Sequence, residues 1–304
     1  MTTGGRLRSV LITGGRGNLG RKLTAHLIAS DLAERVVALD RPGAPSSAPH
    51  SRVHDVTADL ADPRDGALAA AIEGVDAVVH FAASNPAPNA PWDQSRESFE
   101  MTLRVAHEAV RAGARRIVFA SSNHAMGKYK DAPYARRIGP GELGPETLPA
   151  PGTLFDTDEG VLDGVAYGAT KLLGESAFGV AAERSGGRTT SVSLRIGWCQ
   201  AGENRAETIN AAGGGASPGE ETPSYRRALR WFRNMWLSDR DFAQLLERAL
   251  LADASGWPSP AVVVNGMSAN RGMAWDLRPG ERWLGYRPQD DVWTALGLEP
   301  PPAE

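Results

Sequence analysis

The segment Thr13-Gly14-Gly15-Arg16-Gly17-Asn18-Leu19-Gly20 ends an apolar run at residues 9–13 and leads into a helical pattern at 17–28, where Leu19, Leu23, Leu27 and Ile28 share one face. A strand that stops at glycines spaced three apart and passes straight into a helix leaves few architectures open. Glycine lets the backbone turn tightly and bares the helix N-terminus, whose free N–H groups and dipole favour an anion such as a pyrophosphate. The next apolar run, 35–39, ends in Asp40, the spacing at which a carboxylate accepts hydrogen bonds from an adenosine ribose and repels a 2′-phosphate.

Further apolar runs follow at 53–56, 77–81 and 116–120, with helical patterns at 63–72 and 92–112 between them. Short strands alternating with helices imply a parallel sheet covered on both faces: an α/β, doubly wound sheet of the Rossmann type. Beyond residue 120 the pattern is less regular, with a Gly/Pro-rich connection at 139–152, a helix at 166–183 and a strand at 190–196. The stretch 211–223, with Gly213-Gly214-Gly215 and Pro218, is expected to be a mobile loop, followed by an amphipathic helix at 238–252 opened by a Ser-Asp cap and a strand at 261–264. One structural domain is expected, with residues 1–190 as the dinucleotide-binding part and 191–304 mainly as an interleaved substrate-capping part.

An apolar content of 41% supports a substantial core, and a net charge of −3 argues against a surface built for nucleic acid. The single cysteine, Cys199, fits a reducing compartment, and no run long enough to span a membrane is present. A cytoplasmic protein with no membrane or nucleic-acid partner is expected. The six histidines show no metal-ligand spacing, so no metal is expected.

The expected cofactor is NAD rather than NADP. Its contacts are assigned to Gly14, Arg16, Gly17, Asn18, Leu19 and Gly20 in the turn, to Asp40, and to Asp59 and Leu60 after the third strand. Asp59 equally suits a helix cap, and Arg16 and Arg41 are the groups that would pair with a 2′-phosphate if Asp40 turned away. Phe81, Ala82 and Ala83 end the fourth strand with room for a flat ligand, Ile196 ends a later one, and His80 reads as a packed core histidine.

Lysine occurs only at positions 22, 128, 130 and 171. Tyr167-Gly168-Ala169-Thr170-Lys171 places a phenol and one of these ammonium groups a helical turn apart on one face. A nearby cation favours the phenolate, which suits the pair to proton transfer near neutral pH. Ser122, where the run 116–120 passes into polar residues, is a candidate third partner.

With the glycine turn, the strand-terminal serine and the YxxxK helix in this order, the chain resembles the extended short-chain dehydrogenase/reductase superfamily along its whole length. That resemblance implies Tyr167 as acid/base, Lys171 lowering its pKa and holding the nicotinamide ribose, Ser122 orienting the substrate oxygen, and a homo-oligomer. The segments Val118-Phe119-Ala120-Ser121-Ser122-Asn123-His124, Leu194-Arg195-Ile196-Gly197, Met235-Trp236-Leu237-Ser238 and Gly266-Met267-Ser268-Ala269-Asn270 are similar to uronate dehydrogenases. Those enzymes oxidise the C1 hydroxyl of a hexuronic acid to an aldarolactone. By that resemblance Ser84, Ser122, Asn123 and His124 contact a sugar-like substrate. Trp198 stands where those enzymes carry a small serine, and Arg205, Arg230 and Arg233 are candidates to grip a carboxylate.

The cluster Arg226-Arg227-Ala228-Leu229-Arg230-Trp231-Phe232-Arg233 reads either as an anion clamp with aromatic walls or as an amphipathic helix with solvated arginines and Leu229 and Phe232 turned inward. Two rival functions share the motifs: a nucleotide-sugar epimerase or dehydratase with tightly bound NAD, and a non-catalytic nicotinamide sensor. Retention of both Tyr167 and Lys171 weighs against the sensor.

Overall fold

The computed structural model describes residues 5–157, 160–210 and 222–301. Seven parallel strands form one sheet: β1 (Leu7–Thr13), β2 (Ala33–Asp40), β3 (Val53–Thr57), β4 (Ala77–His80), β5 (Arg116–Ser122), β8 (Thr190–Ile196) and β9 (Ala261–Gly266), in the order β3-β2-β1-β4-β5-β8-β9. β6 (Leu154–Thr157) and β7 (Gly160–Asp163) form a separate antiparallel hairpin. The middles of the central strands are mostly apolar because both of their faces are buried, as in Val10–Ile12, Ala77–Val79 and Ile117–Ala120. One face packs on α1 (Asn18–Ala29) and α6 (Asp239–Leu251), with Leu23, Leu27, Phe242 and Leu245 against Val10, Ile12, Val118 and Val264. The other packs on α2 (Ala67–Ala71), α3 (Trp92–Arg111) and α4 (Val165–Arg184), with Leu68, Val105 and Phe178 against Leu11, Val37 and Phe119.

A third cluster covers the carboxyl ends of the strands. It joins α5 (Pro223–Asn234) to the 3-10 helix Asn123–Lys130 and to the chain around α7 (Arg278–Leu284) and α8 (Val292–Ala295), through Trp231, Phe232, Trp236, Trp275, Trp293 and Met126. The Trp231 and Trp275 rings lie 4.5 Å apart between centroids. No helix among the described residues is long and apolar enough to cross a membrane.

Three elements depart from expectation. The helix expected at 63–72 is confined to α2, because Asp59, Asp62 and Asp65 accept the backbone N–H groups of Ala61, Arg64 and Ala67 and so hold this stretch in Asx turns. The loop expected at 211–223 lies outside the described residues as far as 221; Thr222 and Pro223 instead cap and open α5, the Thr222 hydroxyl accepting the Tyr225 N–H. The β6–β7 hairpin was not expected, since its strands are only four residues each.

The sheet order reverses between β1 and β4, opening a crevice at their carboxyl ends. Gly14 enters it with φ of +67°, and a Cβ there would lie 2.9 Å from the Ala82 nitrogen. Gly20, one turn into α1, faces the same turn, and a Cβ would lie 2.3 Å from the Gly14 carbonyl oxygen. Gly20→Ala should therefore force the turn open and lower unfolding stability by about 1–3 kcal/mol. Denaturant unfolding checks this, and wild-type stability would show that the turn has room.

Candidate active site

A single cavity of about 870 Å³ runs from the end of β2 across the crevice to α4 and α5. Its walls include Gly14, Gly17, Asn18 and Leu19 of the turn, Asp40, Asp59 and Leu60 at one end, and Phe81, Ala82, Ala83 and Ser84 after β4. Ser122, Asn123, His124, Tyr167, Lys171, Ile196 and Trp198 line the other end. Gly17 caps α1 in extended backbone with no side-chain cap, so the first N–H groups of the helix are left for a ligand. The Asp40 carboxylate accepts the backbone N–H groups of Arg16 and Arg41, each at 2.9 Å, which fixes it at the cavity edge.

Five expected residues stand elsewhere. The Arg16 guanidinium is buried and donates to the carbonyls of Asp40 and Arg41 and to the Thr57 hydroxyl, at 3.1–3.2 Å, so it braces the Asp40 loop instead of facing the cavity. Gly20 packs on Gly14 and is absent from the wall. Arg205 is exposed beside Glu203 at 3.6 Å. Arg230 extends from α5 toward Gly272, outside the cavity wall, and Arg233 lies over the Trp293 ring at 5.9 Å. The inward face of α5 is apolar: Ala228, Trp231 and Phe232 are buried, and Phe232 lines the cavity. The segment is an amphipathic helix with Phe232 buried and Leu229 half-buried, but its arginines are not simply solvated: Arg227 pairs with Asp131 at 3.2 Å and Arg233 lies over Trp293.

At the far end Ser122 closes β5, accepting the His124 backbone N–H at 3.2 Å and standing near the Tyr167 phenol. Burial pushes the phenol up to about 12 against the opposing pull of the Ser122 hydroxyl. Lys171 does not reach the phenol oxygen. Its ammonium donates to the Ala120 carbonyl at 2.8 Å and sits 5.5 Å from the Tyr167 ring centroid. Burial brings the ammonium down to about 8, with the Glu175 charge opposing. Burial is the largest influence on the phenol, and the Lys171 ammonium sits over its ring instead of hydrogen-bonding to its oxygen.

The neighbouring polar groups are held firmly. His124 has a ring nitrogen 2.6 Å from the Thr153 hydroxyl and is kept neutral by burial, which brings it down to about 4. Asn123 donates to the Ile196 carbonyl at 2.9 Å, while its Oδ1 is buried with no hydrogen-bond partner in the protein. His80 is the core histidine its sequence context indicates, flanked by the hydroxyls of Thr13 at 2.7 Å and Thr102 at 3.1 Å.

Sequence reasoning missed several groups. Glu175 stands one turn beyond Lys171 and forms a buried two-pronged pair with Arg195, at 2.9 and 2.8 Å, while Ser121 donates to it at 2.5 Å. The signal was present, since Tyr167, Lys171 and Glu175 recur at four-residue spacing. Phe232 and Met235 join Trp198 as an apolar wall, Phe232 edge-on to the Trp198 ring at 5.4 Å. Behind it, Asn18 donates to the Cys199 carbonyl at 3.1 Å, and Lys22 donates to the Gly202 carbonyl at 2.8 Å and to the Asp239 carboxylate. Burial pushes the Cys199 thiol up to about 12, which leaves it unreactive.

Glu175→Gln should strand half of a buried ion pair and lower stability by about 3–5 kcal/mol, whereas Glu175→Leu with Arg195→Met should recover much of the loss. Chemical unfolding of the three proteins checks this; equal losses in the single and double variants would show that packing alone matters there.

The comparisons with known proteins follow this geometry. The model of the NAD dependent epimerase/dehydratase family matches residues 10–150, from β1 to just beyond Ser122 and His124. L-arabinose 1-dehydrogenase (NAD(P)(+)) of Haloferax volcanii is 32% identical over 94% of this chain and 98% of its own length. Uronate dehydrogenase of Pseudomonas putida is 30% identical over 97% of this chain and 90% of its own. The crystal structure of glucuronic acid dehydrogenase from Chromohalobacter salexigens superposes with a TM-score of 0.68 at 23% identity, over 96% of this chain and 88% of that one, and shows the same Rossmann-type fold. The family match covers the glycine turn, Asp40 and Ser122, and the likeness to the relatives extends over nearly the whole chain: the chain belongs to the NAD dependent epimerase/dehydratase family.

Proposed function

We propose that this chain is an NAD-dependent sugar dehydrogenase that oxidises a hydroxyl of a sugar or sugar acid, with C1 of the cyclic form as the reacting carbon. The observation that carries the reading is the junction of Ser122, Tyr167 and Lys171 at one end of a cavity whose other end presents Asp40 and the open N-terminus of α1. The relatives support it, being named as dehydrogenases of L-arabinose, uronate and glucose 6-phosphate.

The cavity residues suit NAD: bare helix N–H groups for the pyrophosphate, Asp40 for the ribose hydroxyls, and the small Ala82 and Ala83 beneath. When bound, the nicotinamide supplies the hydride acceptor. The chain's own part is placement and proton handling. Ser122 steadies the reacting oxygen, and the Tyr167 phenolate takes its proton as the C–H bond gives up hydride, so that the hemiacetal carbon becomes the lactone carbonyl. Lys171, pinned to Ala120, keeps a positive charge beside the ring.

Tyr167→Phe should lower kcat by about 10²–10⁴-fold while NAD affinity stays near wild type. A loss below tenfold would place the proton transfer elsewhere, and turnover of a nucleotide sugar without NADH formation would favour the epimerase reading. Because burial raises the phenol to about 12, the phenolate fraction grows with pH, and kcat/KM for oxidation should climb from neutral into alkaline pH. His124, held at about 4, contributes no step to that profile near pH 6.5; an inflection there that disappears in His124→Gln would refute this. Asp40→Ala should erode the preference for NAD over NADP, and an unchanged ratio would mean that other groups read the ribose.

A further inference from the structure

We infer that the sugar this site takes is a neutral aldose, held by hydrogen bonds from its hydroxyls and by packing on an aromatic wall, and not a sugar acid or sugar phosphate. The inference rests on the dehydrogenase reading above and deepens it.

An anionic sugar needs a partner for its charge, because a carboxylate or phosphate enclosed beside apolar side chains loses its hydration without compensation. The cationic side chains in the cavity wall are Arg41 and Lys171. Arg41 follows Asp40 at the end of β2, and Lys171 is committed to the Ala120 carbonyl beneath the reacting pair. His124 is neutral. The arginines that might have served point elsewhere: Arg205 sits beside Glu203, Arg230 toward Gly272 and Arg233 over Trp293. None of the residues outside the description is a lysine, arginine or histidine; the segment 211–221 reads Ala-Ala-Gly-Gly-Gly-Ala-Ser-Pro-Gly-Glu-Glu.

What the wall does offer is matched to hydroxyl groups. Glu97 on α3 adds a carboxylate to the lining, which asks for a donor. A sugar hydroxyl provides one, whereas an ionised carboxylate brings only acceptors and adds like-charge repulsion from Glu97. Trp198, Phe232 and Met235 complete the wall with flat apolar surface suited to the C–H face of a sugar ring.

The test is NADH formation by the purified protein with L-arabinose, D-xylose, D-galactose, D-glucuronate, D-galacturonate and glucose 6-phosphate. The expected result is a kcat/KM for at least one neutral aldose that exceeds those of both uronates and the phosphate by a hundredfold or more. Equal or better turnover of a uronate or of the phosphate would overturn this inference and leave the dehydrogenase reading standing. NADH formation with none of the six would overturn the dehydrogenase reading, and this inference with it. Trp198→Arg, at a half-buried position, places a cation on the wall and should raise the ratio of uronate to neutral-aldose kcat/KM at least tenfold; an unchanged ratio in the folded variant would show that this wall does not face the sugar.

Discussion

At Gly14 the first strand turns so sharply, and so close to the loop after β4, that a single added carbon would lie 2.9 Å from the Ala82 nitrogen. This contact governs the working edge of the molecule. It lets β1 and β4 part with no side chain between them, so the switch in strand order becomes an open crevice. It also seats α1 with its N-terminus facing that crevice. Asp40 at the end of β2 and Ser122 at the end of β5 flank it only because both strands run parallel to β1 and finish at the same edge.

The parts of the fold that were legible in the sequence are those where one local rule governs each residue. Buried parallel strands demand continuous apolar runs, and Val36–Leu39 or Ile117–Ala120 allow little else. Ser238 announces α6 because its hydroxyl accepts the Asp241 N–H. The meeting of Tyr167 and Lys171 at one end of the cavity was legible for a similar reason, since the two share a face by helix geometry alone.

What stayed hidden depends on how separate elements meet. The side of α5 that faces the cavity is set by Trp275, Trp293 and Met126, which come from distant parts of the chain, so the roles of Arg230 and Phe232 could not be told apart from spacing. The side chain of Arg16 illustrates the same limit. Its position in the glycine turn implied a ligand contact, yet three acceptors brought together by β2 and β3 draw it under the loop. Lys171 likewise finds the Ala120 carbonyl, a backbone group that no side-chain pattern advertises.

The bonds from Asn18 to the Cys199 carbonyl and from Lys22 to the Gly202 carbonyl fasten the chain just beyond Trp198 to the helix that begins at the glycine turn. These bonds engage backbone carbonyls, so their strength does not depend on which side chain stands at 198. The side chain at that position can therefore change while its place in space stays fixed by α1. The wall of the cavity can accordingly be reshaped by substitution at this position without disturbing the glycine turn or α1.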